Sequence, residues 1–340
     1  MAAHFTTTMS FDDSLHVVAA VLRRRNGDVL LARRPDGTED AGCWEFPGGK
    51  RERAESAQAA LRRELREELG IDVKALWPLI RIPQQQAHRH LLLDVWLADA
   101  EGLQVHALLG QQLAWQSPAL IDPSTLPVAD RPALAALQQP AMYAITPDFP
   151  DDDAAMTRIL VCVERFQEVG IQRVQLRMPQ FSRERRANVL AAAKRSFGGE
   201  LLSNARDAAD IELAAQAGVG LHLSQTLLQS LSDRPTGFDR VIGSVHDAAS
   251  LRCAERLRLD AVVLGPVNAT QTHPDATAIG WKGFVALRER SGLPIYALGG
   301  LRRDDLAIAR QHGAQGIAAI RGFVDIESRE EVAAFDAKSG

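Results

Sequence analysis

The sequence predicts two domains. Residues 1–139 read as an α+β domain, and residues 140–340 as an α/β domain that closes into a (β/α)8 barrel. Three observations predict this. A chain of 340 residues is too long for one small domain and matches a prior of two, at roughly 150 residues each. Residues 15–138 mix apolar runs with one long helical pattern. From residue 141 onward, short apolar runs alternate with helical stretches, about eight times in about 185 residues. That is the rhythm of a parallel sheet with helical crossovers, and eight such units suggest closure.

In order along the chain, residues 15–22 are an apolar run and a strand candidate, Asn26-Gly27-Asp28 a turn, and residues 29–32 a second strand. Residues 56–69 carry the helical pattern, and residues 90–97 a further strand. Pro118, Pro123, Pro127, Pro132 and Pro140 punctuate the end of this half, placing the boundary at residues 138–140. The strands of the second half fall at 142–145, 173–176, 201–203, 220–223, 241–244, 261–264, 294–298 and 316–320. The loops must then be short. A doubly wound open sheet is the competing fold.

Composition excludes several classes. The chain is 46% hydrophobic and 24% charged, the balance of an ordinary globular protein. A net charge of −4 argues against polymeric nucleic acid as a partner, whereas a small anionic ligand needs only local positive charge. No apolar run approaches the ~18 residues that would span a bilayer, so no membrane partner is expected. The first residues, MAAHFTTTMSFDD, lack a basic segment followed by an apolar one, so no signal peptide is expected. Cys43, Cys162 and Cys253 are odd in number, far apart and outside any CxxC. This disfavours disulfides and zinc knuckles and fits a reducing cytoplasm.

The strongest local signal is Gly49-x5-Glu55-x7-Arg63-Glu64-Leu65-x-Glu67-Glu68-x-Gly70-Ile71. Glu64, Glu67 and Glu68 stand at i, i+3 and i+4, on one helix face. Three carboxylates there repel one another unless cations gather between them. Hard oxygen ligands of this kind suit Mg²⁺, or Mn²⁺, together with substrate phosphates. Phe46-Pro47-Gly48-Gly49 precedes the helix, and its glycines let backbone approach metal and phosphate closely. Gly70 is placed to end the helix. A solvated surface face is the competing reading. The like-charge spacings Glu64–Glu68 and Arg62–Arg66 speak against it, because a surface helix prefers alternating signs.

This pattern resembles the Nudix box with every defining position filled. The likeness extends to the MutT-type 8-oxo-dGTP diphosphatases through Trp44-Glu45-Phe46-Pro47-Gly48-Gly49-Lys50, Arg33-Arg34, His88-Arg89-His90 and the run from Leu126 to Pro132, and it spans residues 15–138 without gaps. The resemblance implies a hydrolase of phosphoric anhydride bonds that converts 8-oxo-dGTP-like oxidised purine nucleotides to the monophosphate and pyrophosphate, sanitising the nucleotide pool. It implies Gly49, Glu64, Glu67 and Glu68 as metal ligands and Glu64, Glu55 and Lys50 as catalytic groups, with Glu64 as base. It implies Arg34, Phe46, Arg89 and Asp130 as substrate-binding residues. Lys50 and Arg34 would neutralise phosphate charge. Two positions depart from the family pattern. Leu109 stands where an additional acidic metal ligand is carried, and Asp130 replaces a purine-reading Asn. An ionised Asp only accepts hydrogen bonds, so Asp130 either accepts from N1–H and N2–H₂ or is protonated and donates to O6.

The second half resembles thiamine-phosphate synthase and its TenI-like relatives, TIM-barrel proteins. The likeness rests on Tyr143-Ala144-Ile145-Thr146, Val174-Gln175-Leu176-Arg177, Gly220 to Gln225, Gly243-Ser244-Val245-His246, Gly265-Pro266-Val267 and Ala297-Leu298-Gly299-Gly300, in family order. Each ends a predicted strand, at the catalytic face of a barrel. Gly299, Gly300, Arg321 and Gly322 would cradle a phosphate. The synthase chemistry needs acidic residues and lysines, and several are replaced: Pro179 and His273 for lysines, Thr226-Leu227 for an acidic pair, and Asn204-Ala205-Arg206-Asp207 for an asparagine-aspartate motif. Pro266 stands where TenI-type tautomerases carry histidine. The barrel is therefore expected to bind a phosphorylated small molecule without synthase activity. Two rivals stay open: Nudix chemistry on a thiamine-pathway diphosphate, and a barrel that senses a phosphorylated ligand and regulates the Nudix domain.

Overall fold

The computed structural model describes residues 15–85, 90–269 and 277–324. The chain divides into two compact units, Met1–Leu134 and Ala135–Gly340.

The first unit opens with strands β1 (Leu15–Arg23) and β2 (Val29–Arg33), joined by a turn in which the Arg24 N–H donates to the Asp28 carbonyl at 2.9 Å. Two short strands follow, β3 (Trp44–Glu45) and β4 (Gly48–Lys50), then helix α1 (Ala57–Leu69). Strands β5 (Trp77–Gln85), β6 (His90–Asp99) and β7 (Leu113–Gln116) complete the sheet, and α2 (Arg131–Leu137) follows. The sheet order is β3-β2-β1-β6-β5, with β4 on β1 and β7 on β2. β1 and β6 run parallel at its centre.

α1 forms where the periodicity placed it. The Ser56 hydroxyl caps it by accepting from the Ala59 N–H at 3.1 Å, and Gly70 ends it in the left-handed region, at φ +67°. Its buried residues Leu61, Leu65 and Leu69 recur every four positions and pack with Val18, Ala20, Leu22 and Leu30. Burying each leucine contributes roughly 1.5–3 kcal/mol. With the leucines inward, the intervening carboxylates are carried on the rest of the helix surface.

Three strands, β4, β5 and β7, were not expected, and β3 falls where the resemblance reads a strand and loop over Trp44–Lys50. β3 and β4 are too short to show alternation, and β7 has only four residues. β5 contains Pro78 and Pro83, which disguise a strand in sequence but are tolerated here because β5 is an edge. The sheet also carries an unforeseen charged cluster. Asp94 on β6, 3% exposed, takes both Arg81 Nε (2.5 Å) and Nη2 (2.8 Å) from β5 and pairs with His16 Nε2 (2.7 Å) from β1. Its carboxyl is pushed up by burial, but His16 and Arg81 outweigh this and hold it down at about 2.

The second unit is a closed parallel barrel, which settles the choice against the open sheet. Its strands are β8 (Met142–Ile145), β9 (Arg173–Leu176), β10 (Glu200–Ala205), β11 (Gly220–Leu223), β12 (Val241–Val245), β13 (Ala261–Leu264), β14 (Ile295–Leu298) and β15 (Gly316–Ala319), and closure is made by Ile317 pairing with Met142. The helices between them are α3 (Ala155–Glu168), α4 (Arg183–Ser196), α5 (Ala208–Ala217), α6 (Gln225–Ser230), α7 (Ala248–Arg256), α8 (Gly280–Arg288) and α9 (Leu306–Gln311). Tyr143, Ile145, Leu202, Ile242, Val263, Tyr296 and Ala318 form one buried cluster, distinct from the larger one that includes the helices. Arg173, 1% exposed at the start of β9, is satisfied by Glu200 (2.5 Å), Gln139 (2.6 Å) and the Tyr296 hydroxyl (2.9 Å). A buried guanidinium needs such a full set of acceptors.

Candidate active site

In the first unit, the β4 backbone and α1 bring the Nudix-box residues together. Val18 pairs with Gly49 across β1 and β4, which sets Gly49 against the helix. A Cβ at position 49 would land on the Glu64 carboxylate. Arg63 organises the acidic groups. It donates Nη1 to Glu64 (2.9 Å) and Glu67 (3.3 Å), and Nη2 to Glu55 (2.8 Å) and the Lys50 carbonyl (3.0 Å). Glu55 also accepts the Glu52 N–H at 2.7 Å, and its carboxyl is lowered first by Arg63 and then by that bond. The Glu67 side chain is 57% exposed, against 14% for Glu64. Lys50 is exposed at the end of β4.

Glu68 is raised to about 7, by burial first and then by the charges of Glu64 and Glu45, although the Gly48 N–H donates to it. A site that makes a carboxylate this costly to ionise is short of positive charge. Among the described residues no three acidic, histidine or cysteine groups already converge on a metal-sized cage. Glu64, Glu67, Glu68 and the Gly49 backbone instead form an open oxygen-donor face, which fits a hard divalent cation that completes its shell with water and phosphate oxygens. The loop at residues 105–112 closes over the C-terminal end of α1. The Leu108 N–H (3.0 Å) and Gln111 Nε2 (3.1 Å) both donate to the Glu68 carbonyl. Leu109 sits in this loop, 69% exposed, and offers no ligand.

A second group of residues gathers around Asp130, which is 6% exposed just before α2. Its carboxyl is raised to about 8, by burial first and then by Glu45, although Arg34 and the Phe46 N–H lower it. Near neutral pH it keeps its proton, so it both donates and accepts, as an asparagine amide does. Glu45 was not among the expected site residues. It is ion-paired to Arg34 and is itself raised, by burial first. Its sequence signal was its place in the Trp44–Lys50 segment that the resemblance reads as strand and loop, with no role attached to it. Arg34 donates Nε to the Glu39 carbonyl at 2.7 Å as well. It therefore stands beside Asp130 and Glu45, already engaged on both counts. Phe46 is 3% exposed. Arg89 lies outside the described residues.

In the barrel, the strand-end polar residues form a hydrogen-bonded wall. The Tyr143 hydroxyl meets His222 Nδ1 at 2.9 Å, and His222 Nε2 meets Ser244 Oγ at 2.8 Å. Burial pushes His222 down to about 3, so it is neutral. His246 Nδ1 donates to the Gly265 carbonyl at 2.5 Å. Gln175 Nε2 donates to Asn204 Oδ1 at 2.9 Å, while its buried Oε1 has no partner among the described residues. Gly299 and Gly300 both take positive φ, and Arg321 and Gly322 follow β15. Pro179 and Thr226 carry no charge, and Leu227 is buried in α6. Asp207 caps α5 by accepting the Asp210 N–H at 2.9 Å. His273 and the Thr270-Gln271-Thr272 run lie outside the described residues, as does His88.

Together the two units define a class: a hydrolase built on a Nudix helix, joined to a thiamine-phosphate-synthase-like barrel. Residues 142–323 match the thiamine monophosphate synthase family, more than half of the chain, and residues 18–136 match the NUDIX domain family. A putative thiamine-phosphate synthase 2 from Aquifex aeolicus is 31% identical over 193 residues, covering 56% of this chain and all of that protein. A CTP pyrophosphohydrolase from Escherichia coli is 42% identical over 124 residues, covering 36% of this chain and 90% of its own length. An 8-oxo-dGTP diphosphatase from Proteus vulgaris is 41% identical over 83 residues, covering 24% and 74%. The chain belongs to the thiamine monophosphate synthase family through its barrel and to the NUDIX family through its first unit. The first unit is thus a hydrolase acting on phosphoric anhydride bonds. Among the described residues no helix is long and apolar enough to cross a membrane.

Proposed function

We infer that residues 1–139 are a divalent-metal-dependent nucleoside triphosphate pyrophosphohydrolase acting on 8-oxo-dGTP-like oxidised purine nucleotides. The anhydride bond between the α- and β-phosphoryl groups is broken by water, giving the monophosphate and pyrophosphate. The observation that carries this reading is buried Asp130, held protonated near neutral pH. A protonated carboxyl matches an acceptor beside a donor, the O6/N7–H edge that an 8-oxopurine presents. Unoxidised guanine has acceptors at both O6 and N7 and offers an acceptor beside a donor only at O6 and N1–H, so the reading also requires the base to present its N7 edge.

Gly49, Glu64, Glu67 and Glu68 would hold Mg²⁺, or Mn²⁺, which supplies positive charge to the phosphate oxygens as negative charge develops. Glu64 takes the proton of the attacking water at its carboxylate. Arg63, bonded to Glu64, Glu67 and Glu55, keeps the base aimed. Lys50, exposed at the end of β4, neutralises phosphate charge. Phe46 would flank the base, the role the resemblance also gives to Arg89, which lies outside the described residues. Arg34 acts beside Asp130 rather than on the phosphates, because its guanidinium is committed to Glu45 and Glu39.

A second reading is a cytidine triphosphate substrate. It is favoured by the CTP pyrophosphohydrolase relative and by the same protonated carboxyl, which also matches the N3/N4-amino edge of cytosine. Residues 140–340 are assigned to binding a phosphorylated small molecule at Gly299, Gly300, Arg321 and Gly322, without synthase activity. Three free thiols support a reducing, cytoplasmic setting.

The test is Asp130→Ala. It should raise KM for 8-oxo-dGTP by about 5- to 150-fold, the loss of one buried hydrogen-bonded contact at about 1–3 kcal/mol. KM for a deoxyribose triphosphate lacking the base should not change. An equal effect on both would remove Asp130 from the base.

A further inference from the structure

We propose that Gln111 is a positioning residue for the metal face: its side-chain amide holds the last turn of α1 helical, so that Glu68 stays on the same face as Glu64. This rests on the reading of Glu68 as a metal ligand.

The need for such a residue follows from where Glu68 sits. Glu64, Glu67 and Glu68 share a face only while residues 64–68 keep helical spacing. α1 ends at Leu69, and Gly70 turns the chain away at φ +67°, so Glu68 is the next-to-last helical residue. The last carbonyls of a helix have no partner within it, and helix ends are the first parts to fray. Here the Gly70 N–H donates to the Arg66 carbonyl at 3.1 Å and the Ile71 N–H to the Leu65 carbonyl at 3.4 Å. These two bonds close the turn but leave the Glu68 and Leu69 carbonyls to be met from elsewhere.

The loop at residues 105–112 meets them. The His106 N–H donates to the Leu69 carbonyl and the Leu108 N–H to the Glu68 carbonyl, both at 3.0 Å. Gln111 Nε2 gives the Glu68 carbonyl a second bond at 3.1 Å, while its Oε1 accepts the Leu109 N–H at 3.0 Å. One amide thus ties the loop both to itself and to the backbone that carries Glu68. The loop is anchored in turn. The Arg33 N–H donates to the Gln112 carbonyl at 2.9 Å and its Nη1 to Gln112 Oε1 at 3.0 Å, and Leu113 then pairs with Ala32 on β2. Leu108 lies against Gly70, its Cδ1 3.4 Å from where a Cβ on that glycine would stand. Residues 105–112 include no acidic residue, so the loop acts on the donor face through the helix end.

The experiment is Mn²⁺ binding to the full chain without nucleotide, followed by electron paramagnetic resonance, with amide hydrogen exchange measured alongside. Gln111→Met keeps the length of the side chain and removes its donor and acceptor. Gln111→Asn keeps the amide on a stem one carbon shorter, which cannot span both partners. Each should weaken Mn²⁺ binding by about 3- to 10-fold, the loss of one neutral hydrogen bond. Each should speed exchange at Gly70 and Ile71, whose N–H groups close the last turn, and leave the middle of α1 as it was. Turnover should recover as Mg²⁺ is raised, because every ligand is still present, whereas Glu68→Gln should not recover. Leu109→Ala, which changes only an exposed side chain, should bind Mn²⁺ as the wild type does. If Glu68→Gln weakens Mn²⁺ binding while both Gln111 variants bind normally, the proposal is overturned and the metal reading stands. Exchange that quickens throughout the first unit in both Gln111 variants would mean lost folding rather than lost position, and would overturn it too. If Glu68→Gln binds Mn²⁺ like the wild type, the metal reading fails first and takes the proposal with it.

Discussion

The carboxylate of Glu64 fills the space that a Cβ on residue 49 would occupy. Gly49→Ala should therefore displace Glu64 although nothing charged is removed. Turnover should fall by about 10² or more, as when a group acting in the transition state is lost, with the circular dichroism spectrum unchanged. Activity close to wild type would mean that the position of Glu64 is not critical.

Glu64→Gln and Glu68→Gln preserve shape and remove charge from the donor face. Each should lower kcat by at least about 10² with folding intact. Near-normal turnover at saturating Mg²⁺ would overturn the assignment of these carboxylates to metal.

Asp94 gives a stability signature separate from activity. Its folded-state value lies at about 2, below its ordinary 3.8. A depressed carboxyl contributes stability that is fully present above the unfolded value and is lost as pH falls through the folded one. The stabilisation should thus be complete above about pH 4 and disappear as pH falls toward 2. A shift of this size is worth about 2 kcal/mol. Asp94→Asn should lower unfolding stability in urea by about that much at neutral pH, because the amide removes the negative charge that Arg81 and His16 face, and should flatten the acid limb between pH 4 and 2. Unchanged stability would mean the cluster is held by packing alone.

The barrel should not make thiamine phosphate. Pyrophosphate must be stabilised where charge develops as it departs, and Pro179, Thr226 and Leu227 supply neither cation nor carboxylate. Purified full chain given thiazole phosphate and the pyrimidine diphosphate should form no coupled product, while still binding a phosphate ester weakly. Growth of a thiamine-requiring, synthase-null strain carrying this chain would show that the substitutions had been misjudged.

Helix α1 was legible because its two periodicities coincide. Leucines every four residues faced the core, and glutamates at i, i+3 and i+4 shared a second face, with Ser56 and Gly70 marking the ends. The barrel strands were legible because most are short buried runs rich in apolar residues, and all but the last, β15, are followed by a helix among the described residues. β5 was hidden by its two prolines. Glu45 was hidden because its pairing with Arg34 and its charge near Asp130 are not brought together by sequence spacing. Asp94 was hidden differently: an acid in the middle of the run LLLDVWLAD gives no sign of Arg81 and His16 on the neighbouring strands.

The most direct measurement is hydrolysis of 8-oxo-dGTP, dGTP, CTP and thiamine diphosphate side by side, by the full chain with Mg²⁺ at neutral pH, with products identified. 8-oxo-dGTP should be converted to its monophosphate and pyrophosphate, with kcat/KM at least about tenfold above dGTP, a difference of about 1.4 kcal/mol in transition-state binding, and thiamine diphosphate should remain intact. Preferential turnover of thiamine diphosphate, or no release of pyrophosphate from any triphosphate, would contradict the account.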